Sequence, residues 1–331
     1  MITTFGQTHA GEKVEQITLK GGGLTATFLT YGAVLQDLRL DGHPPPLVLG
    51  LNSIEDYQTH SPYFGATAGR CANRIGGGQF TLDGQTHAVD RNFLGKHLLH
   101  GGADGIGKRL WTIGERSDSH VVLQISLPHG HMGFPGRLDI SARFSLLSGG
   151  GLDIVYEAQT DAPTLCNIAH HSYFNLTGGP DLSGHILRVA ADRMTEVDAE
   201  LIPTGRSLDV SGTPYDLREG ADLGAWPQGM LLDHNFCLSQ ARGALGQVAS
   251  LRAGALEMAL HTTEPGLQVY DGAKVAVPVP GLDGARYGAY AGIALEPQVW
   301  PDAINQAGFP SAILRPGETY RQHSRYVFVL S

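Results

Sequence analysis

Apolar and polar residues alternate with a period of two along several segments of the chain, most clearly in residues 137–146. The apolar positions there are Leu138, Ile140, Ala142, Phe144 and Leu146. Such alternation is typical of a β-strand that buries one face and exposes the other. The glycine-rich residues 148–151 interrupt the pattern, which resumes over residues 152–158. The two segments together predict a β-hairpin with one solvated face.

The same period recurs in residues 121–127 and 256–260, and residues 320–330 also have an extended pattern. Helical signals are weak: residues 53–56 and 302–306 each predict a single capped turn. No window has the pattern of an amphipathic helix of ordinary length, and no alternation of strands with helices indicates a parallel sheet. The sequence therefore predicts one all-β domain over residues 1–331, mainly antiparallel, with two packed sheets.

Composition narrows the classes of partner and the cellular setting. The chain has 331 residues, 42% of them hydrophobic, and a formal charge of −9. This acidic balance argues against nucleic acid or an anionic membrane as a partner, because both require a basic face. The cysteines are odd in number and widely spaced, which predicts reduced thiols: Cys71, Cys166 and Cys237. No signal peptide and no long apolar run are evident, so we expect a cytoplasmic protein.

Five segments place reactive side chains where a strand or turn would ordinarily have simpler residues. Arg74 and Asn73 follow a small-residue segment and can offer hydrogen bonds to hydroxyl groups, although a capped turn would explain them equally well. His100 precedes two glycines, where the backbone can turn sharply. Asp233 follows a loop, where an Asx turn is the simpler interpretation.

The other two segments contain candidate acid–base groups. Only one of the adjacent His170 and His171 can face a given side of a strand, so the two make a poor metal pair but leave one histidine available as a general acid. Glu296 follows an apolar run, which predicts a carboxylate at the end of a buried strand, with a raised pKa, beside Trp300. Each residue also has a structural explanation, as a bonded core histidine or a solvated glutamate.

The chain lacks the sequence motifs of several common enzyme and nucleotide-binding classes. The chain has no Gly-x-Ser-x-Gly nucleophile turn, Walker loop or dinucleotide-binding glycine pattern. His129 and His131 have the spacing of a metal-binding pair, but no glutamate follows a few residues later. We therefore expect neither a metal nor a cofactor.

Taken together, the five segments resemble the aldose 1-epimerase, or galactose mutarotase, family. The matching motifs stand in family order: Gly-Arg-x-Ala-Asn-Arg-Ile at 69–75, Leu-His-Gly-Gly at 99–102, His-Ser-Tyr-Phe-Asn-Leu at 171–176, Asp-His-Asn-Phe at 233–236 and Glu-x-Gln-x-Trp-Pro-Asp-Ala-x-Asn-Gln at 296–306. The resemblance implies a large antiparallel β-supersandwich with a sugar site in a cleft across one sheet. It also implies an isomerase that interconverts the anomers of free hexoses.

The resemblance assigns a role to each matching residue. Glu296 corresponds to the general base, His171 to the general acid and His100 to a second active-site histidine near the ring oxygen. The residues corresponding to sugar contacts are Asn73, Arg74, Tyr173, Asp233 and Gln268. Trp300, Tyr173 and Phe174 are available as an aromatic platform. His170 departs from the family, because many relatives have asparagine there.

Acid–base ring opening needs no cofactor, and it requires Glu296 to be ionised while His171 is protonated. We expect this to be the resting state. The partner is expected to be a small aldose, and the protein a monomer or a homodimer.

Three alternatives stay open at this point. A sugar-phosphate epimerase would direct a further cation such as Arg109 or Arg286 at the phosphate. A glycoside hydrolase would use Asp233 and Glu296 as its two carboxylates. A non-catalytic carbohydrate-binding sandwich would need neither Glu296 nor His171.

Overall fold

A computed structural model of the chain describes residues 1–227 and 229–331, and its largest element is a nine-stranded sheet. The strands, in spatial order, are Thr112–Arg116, His120–Leu127, Leu138–Leu147, Gly151–Thr160, Tyr320–Leu330, Leu256–Thr262, Gly246–Ala253, His185–Val189 and Ala221–Asp222. All neighbours are antiparallel. The segments with period two all lie here, and Leu138–Leu147 alternates strictly between buried and partly exposed positions. The predicted hairpin is confirmed.

Two further sheets pack against this one. The six-stranded sheet consists of Tyr173–Phe174, Ile293–Gln298, Gly266–Tyr270, Asp233–Cys237, Arg193–Val197 and Pro203–Asp209. The N-terminal sheet consists of Ile2–Gln7, Lys13–Gly21, Leu24–Leu29 and Val34–Leu40. The all-β prediction is confirmed, whereas two packed sheets was too few. Among the described residues, the N-terminal strands form ladder pairs with one another and not with strands of the other two larger sheets.

One apolar core joins the three larger sheets. Phe28 of the N-terminal sheet lies against Phe144 of the nine-stranded sheet, with ring centroids 4.6 Å apart. Phe174 of the six-stranded sheet lies 5.0 Å from Tyr326. All four side chains are fully buried, and each such burial contributes about 1.5–3 kcal/mol to folding. The opposite face of the six-stranded sheet is therefore free to carry polar groups.

Short paired segments connect the sheets and position several candidate residues. They pair as Thr164–Leu165 with Ile313–Leu314, Ala169–His171 with Ala66–Ala68, Arg74–Ile75 with Leu98–Leu99, and Gln79–Leu82 with Gln85–Ala88. The Arg74–Ile75 and Leu98–Leu99 pair places the chain around Arg74 beside the chain that leads into His100. The Ala169–His171 strand pairs with Ala66–Ala68, just after a loop that contains Tyr63.

Helical structure is short, as expected. The α-helix Ile54–His60 begins at Ser53, whose Oγ accepts a hydrogen bond from the Asp56 amide, so the predicted capped turn is confirmed but is longer than one turn. The 3₁₀ turns are Gly76–Gly78, Ile106–Lys108, His131–Gly133, Leu223–Ala225, Leu282–Gly284 and Ala303–Asn305, the last lying within the second predicted turn. In the described part of the chain, no helix combines the length and apolar character needed to cross a bilayer.

Candidate active site

Three neighbouring strands of the six-stranded sheet bring distant polar residues to one face. Gln268 pairs with Glu296 on one side and with Asn235 on the other, and Asp233 lies two residues before Asn235. Because side chains alternate along a strand, Asp233, Gln268 and Glu296 share a face, whereas Leu267 and Leu295 point into the core. The sheet thus assembles one cluster from positions 63 residues apart in the sequence, since 296 − 233 = 63.

The sequence predicted Glu296 at the end of a strand, but the structure places it within the strand Ile293–Gln298. The strand continues through Pro297 to Gln298, and all six residues are buried. Proline is tolerated because the neighbouring strand Tyr173–Phe174 pairs only with Ile293 and Ala294, so no ladder bond on that side requires an N–H at Pro297. Glu296 is consequently buried more deeply than a strand-end carboxylate would be.

His171 and Glu296 form a buried acid–base pair. Their Nε2 and Oε1 atoms are 3.5 Å apart, and the side chains are only 5% and 2% exposed. Neither Nδ1 of His171 nor Oε2 of Glu296 has a hydrogen-bond partner among the described residues. Both groups therefore keep unused hydrogen-bonding capacity inside the cluster.

Burial determines the charge of this pair. It raises the pKa of Glu296 well above its usual value, and the negative charge of Asp233 raises it further, while Arg74 opposes the shift. Burial lowers the pKa of His171 to about 4. Both directions favour the uncharged carboxyl beside the uncharged imidazole. These directions run against the expectation of an ionised Glu296 and a protonated His171 at rest, because desolvation penalises both charges.

A network of charged and amide groups lies next to the acid–base pair. Arg74 donates from Nη2 to Oδ2 of Asp233 at 3.2 Å, and Gln268 donates to the other Asp233 oxygen. The Oδ1 atom of Asn73 accepts from the backbone N and Nη1 of Arg74, at 3.0 and 3.2 Å. Phe93 packs on the guanidinium, 4.9 Å from ring centroid to Cζ. These contacts fix donors and acceptors before any ligand arrives.

His100 joins the cluster from the turn after Leu98–Leu99. Its ring lies 5.1 Å from that of His171, in an edge-to-face arrangement. The Tyr63 ring covers both, with centroids 4.6 Å from His100 and 5.8 Å from His171. Sequence reasoning missed Tyr63, because an aromatic residue after proline in a loop gives no local sign of its distant contacts.

Tyr173 lies against His171 and not in an open cleft. Its hydroxyl donates to the Pro62 carbonyl at 3.2 Å, and its ring is 5.1 Å from that of His171. Trp300, the platform residue expected beside Glu296, is buried and donates from Nε1 to the Pro265 carbonyl. Phe174 is in the core. Phe174 alternates with Tyr173 along the strand and packs in the core against Tyr326, so the three rings do not form the expected platform.

His170 points away from this cluster. Its Nε2 lies 2.8 Å from Oγ of Ser172, and its ring packs edge-to-face near Phe144 and Tyr326 in the core. The alternation of side chains along the strand thus separates the two histidines, and only His171 faces Glu296.

Histidines and carboxylates also raise the question of a metal. Ligand atoms of His100, His171 and Glu296 all lie within 4.8 Å of one another. His129 and His131 are engaged elsewhere, with the Gly136 amide and Asp104 respectively. Two imidazoles and a carboxylate can hold a divalent ion only if each imidazole offers a lone pair to it. The position of the proton on His100 is therefore decisive.

Comparisons with known proteins agree with the motifs. The sequence model of the family described as Aldose 1-epimerase matches residues 15–327. Galactose mutarotase of Mus musculus is 37% identical, over 98% of this chain and 97% of its own. Aldose 1-epimerase of Escherichia coli is 33% identical over 96% of each chain. The crystal structure of an aldose epimerase homologue from C. elegans matches with a TM-score of 0.88 and 29% identity, over 95% of this chain and 98% of its own. The expected mutarotase-type β fold is confirmed.

Proposed function

The chain belongs to the aldose 1-epimerase family, and from this premise we propose that it is an isomerase that interconverts the α and β anomers of free hexoses such as galactose and glucose. The observation that carries the proposal is the buried pair of His171 and Glu296, 3.5 Å apart beside a preformed hydrogen-bonding network. A neutral polyhydroxylated substrate suits this network, because carboxylate, amide and guanidinium groups supply both acceptors and donors. The reaction would serve hexose metabolism.

Anomer exchange requires two coordinated proton transfers. Glu296, as carboxylate, takes the proton of the C1 hydroxyl, while His171, as imidazolium, gives its proton to the ring oxygen. The bond between C1 and the ring oxygen breaks, the resulting aldehyde rotates about the C1–C2 bond, and the reverse transfers close the ring on the other face. No proton is gained or lost overall. Each transfer is typically worth about 10²- to 10⁴-fold in rate.

The resting pair must first shift one proton. In the uncharged form that burial favours, the proton is on Glu296, and its transfer to His171 produces the reactive ion pair without any exchange with solvent. The 3.5 Å separation is close to hydrogen-bond distance. The reactive ion pair can therefore form by proton transfer within the pair itself.

The neighbouring residues hold the sugar. We assign Arg74, Asp233 and Gln268 to its hydroxyl groups, and His100 to an oxygen near the acid–base pair. Asn73 contributes through its contact with Arg74. Tyr173, whose ring lies against His171, contributes by holding that imidazole in place.

The alternatives fit the geometry less well. A sugar-phosphate epimerase lacks its expected cations, because Arg109 is paired with Asp104 and Arg286 borders a cavity whose lining contains none of the candidate site residues. A glycoside hydrolase or a binding module would leave His171 without a function beside Glu296.

Polarimetry of freshly dissolved α-D-galactose and α-D-glucose tests the proposal. We expect the protein to accelerate the first-order approach to the equilibrium rotation, and heat-denatured protein to serve as the control. A rate equal to the spontaneous one with both sugars would refute the activity. Hydrolysis of aryl glycosides at a comparable rate would favour the hydrolase.

We also propose that residues 1–331 form one domain, that the protein works in the cytoplasm as a monomer or homodimer, and that its partner is a small aldose. Continuity of the apolar core supports the single domain, since it extends from strand Lys13–Gly21 to strand Tyr320–Leu330. Light scattering after gel filtration measures the oligomeric state.

A further inference from the structure

Asn73 and His100 are joined by two hydrogen bonds that run in opposite directions. The backbone N–H of His100 donates to the backbone carbonyl of Asn73 at 2.9 Å. The backbone N–H of Asn73 donates to Nδ1 of the His100 ring at 3.2 Å. Both residues have left-handed backbone conformations, with φ of 61° and 50°. Asparagine tolerates this conformation better than most residues. The two turns therefore hold the imidazole against the backbone of Asn73.

The turn that carries His100 has little freedom to move. Gly101 has φ of 85°, and a Cβ atom there would lie 1.9 Å from the Gly69 carbonyl oxygen. The turn is thus packed directly on the backbone of the segment that leads to Asn73. Both partners of the bond to Nδ1 are consequently held by their own chains.

A backbone N–H can only donate, and this determines the proton on His100. Nδ1 must present its lone pair to the Asn73 amide, so the neutral ring carries its hydrogen on Nε2. Burial, together with the positive charges of neighbouring groups, lowers the pKa of His100 well below its usual value and keeps the ring neutral. Nε2 has no hydrogen bond to any described residue. Its N–H is therefore available to a ligand.

We propose that Asn73 is a positioning residue that holds His100 as the Nε2–H tautomer, so that His100 acts as a fixed hydrogen-bond donor to a sugar oxygen. The sugar as ligand rests on the proposed function, whereas the tautomer does not. His100 then neither removes a proton from the substrate nor ligates a metal. A metal on Nε2 would need the hydrogen on Nδ1, where it would face the Asn73 N–H.

This assignment separates the functions of the two active-site histidines. Nδ1 of His171 has no partner among the described residues, and its Nε2 lies near Glu296, so its proton is free to move. His100 has one nitrogen fixed by the backbone. The titratable and charged groups around His100 are His171, Glu296, Arg74, Lys108 and Tyr63.

The side chain of Asn73 has a separate function. Its Oδ1 accepts from the backbone and Nη1 of Arg74, which in turn donates to Asp233. Substitution can therefore separate the two contributions of Asn73. Asn73→Gly keeps the backbone N–H and tolerates the left-handed conformation but loses the side-chain acceptor Oδ1. Asn73→Asp keeps a side-chain oxygen that can accept from Arg74.

Nitrogen NMR of protein labelled with ¹⁵N-histidine tests the tautomer without any activity measurement. We expect long-range proton–nitrogen correlations of the His100 ring to show an unprotonated Nδ1 and a protonated Nε2 from mildly acidic to alkaline pH. His100→Gln provides the assignment. A proton on Nδ1, or a His100 ring that becomes cationic near neutral pH, would overturn the proposal even if the enzyme epimerises sugars normally.

Kinetics of paired variants test the consequence for the reaction. In His100→Gln the longer side chain can place its amide N–H near the position of Nε2, whereas His100→Asn cannot. We expect kcat/KM of His100→Gln to exceed that of His100→Asn by about ten-fold, the typical effect of one retained hydrogen bond. Equal losses would contradict a donor function.

Asn73→Gly completes the test. We expect its KM to rise, because Arg74 loses a contact, while the His100 nitrogen signals stay unchanged and Asn73→Asp recovers part of the KM. If Asn73→Gly moved the proton to Nδ1 without unfolding the protein, as judged by circular dichroism, the backbone amide would not be the group that fixes the tautomer.

Discussion

Replacing His171 with asparagine separates the titrations of the acid–base pair. In the wild-type protein, kcat/KM depends on the state in which Glu296 and His171 share one titratable proton. The rate therefore falls when the pair binds a second titratable proton at low pH or loses the first at high pH. Burial lowers the pKa of His171 to about 4 and raises that of Glu296 well above 4.5. We therefore expect the acid limb of the profile to follow the imidazole and the alkaline limb to follow the carboxyl. This is the reverse of the order expected from ordinary pKa values.

The size of the effect follows from the pKa difference. The fraction of reactive ion pair falls ten-fold, or 1.36 kcal/mol, for each unit by which the pKa of Glu296 exceeds that of His171. If the pKa of His171 is about 4 and that of Glu296 were its ordinary 4.5, only about one quarter of the pairs would be in the reactive form. Because burial and the charge of Asp233 raise the pKa of Glu296 above this value, the reactive fraction is smaller than one quarter.

The assay is polarimetry across pH at constant ionic strength. We expect His171→Asn to lose about 10²- to 10⁴-fold in kcat/KM, because the acid is removed. The remaining activity should rise with pH in a single step whose midpoint lies well above 4.5, since only ionised Glu296 can accept the proton. His170→Asn is the matched control, because His170 is adjacent but faces the core, and it should keep both limbs. A midpoint at or below 4.5 in His171→Asn would refute the reasoning about burial.

Four further experiments test the acid–base, binding and metal assignments. Glu296→Gln keeps the shape of the side chain but cannot accept a proton, so mutarotation should disappear while calorimetry still detects sugar binding; retention of more than about a tenth of the rate would remove Glu296 as the base. Asp233→Asn weakens the contacts with Arg74 and Gln268, and KM should rise about ten- to hundred-fold, whereas a change in kcat alone would contradict a binding function. Chelation with EDTA should leave the rate unchanged, and a loss that zinc restores would establish a metal. Tyr63→Leu removes a ring that contacts both histidines, and the rate should fall about two- to ten-fold.

The fold was largely predictable because its main signal is local. Alternation along residues 137–146 reflects one buried face, and the strand Leu138–Leu147 shows that face directly. The number of sheets was not predictable in this way. Strands Lys13–Gly21 and Leu24–Leu29 form a hairpin across Gly22 and Gly23, but nothing in this local pairing specifies that the hairpin stays out of the nine-stranded sheet.

The site was predictable as a set of residues, and the raised pKa of Glu296 was expected, whereas the lowered pKa of His171 was not. The motifs identified Glu296, His171 and Asp233, which the sheet does bring together. The dryness of the cluster depends on tertiary packing, including the Tyr63 ring over His171 and the continuation of the strand past Glu296. These features come from segments far apart in sequence, so neither the reversed pKa order nor the contact with Tyr63 had a local signal.

An uncharged resting pair is consistent with a neutral substrate. An ionised Glu296 beside Asp233 would bring two negative charges together in a buried cluster, and Arg74 opposes them only in part. Keeping the proton on Glu296 avoids that cost until the sugar supplies hydroxyl groups that hydrogen-bond to the charged form. A carboxylate with a raised pKa is also a stronger base once it is ionised, which favours removal of the weakly acidic C1 proton. The site therefore combines a small reactive population with a high reactivity of that population, and Asp233 contributes to both by raising the pKa of Glu296 while it fixes Arg74.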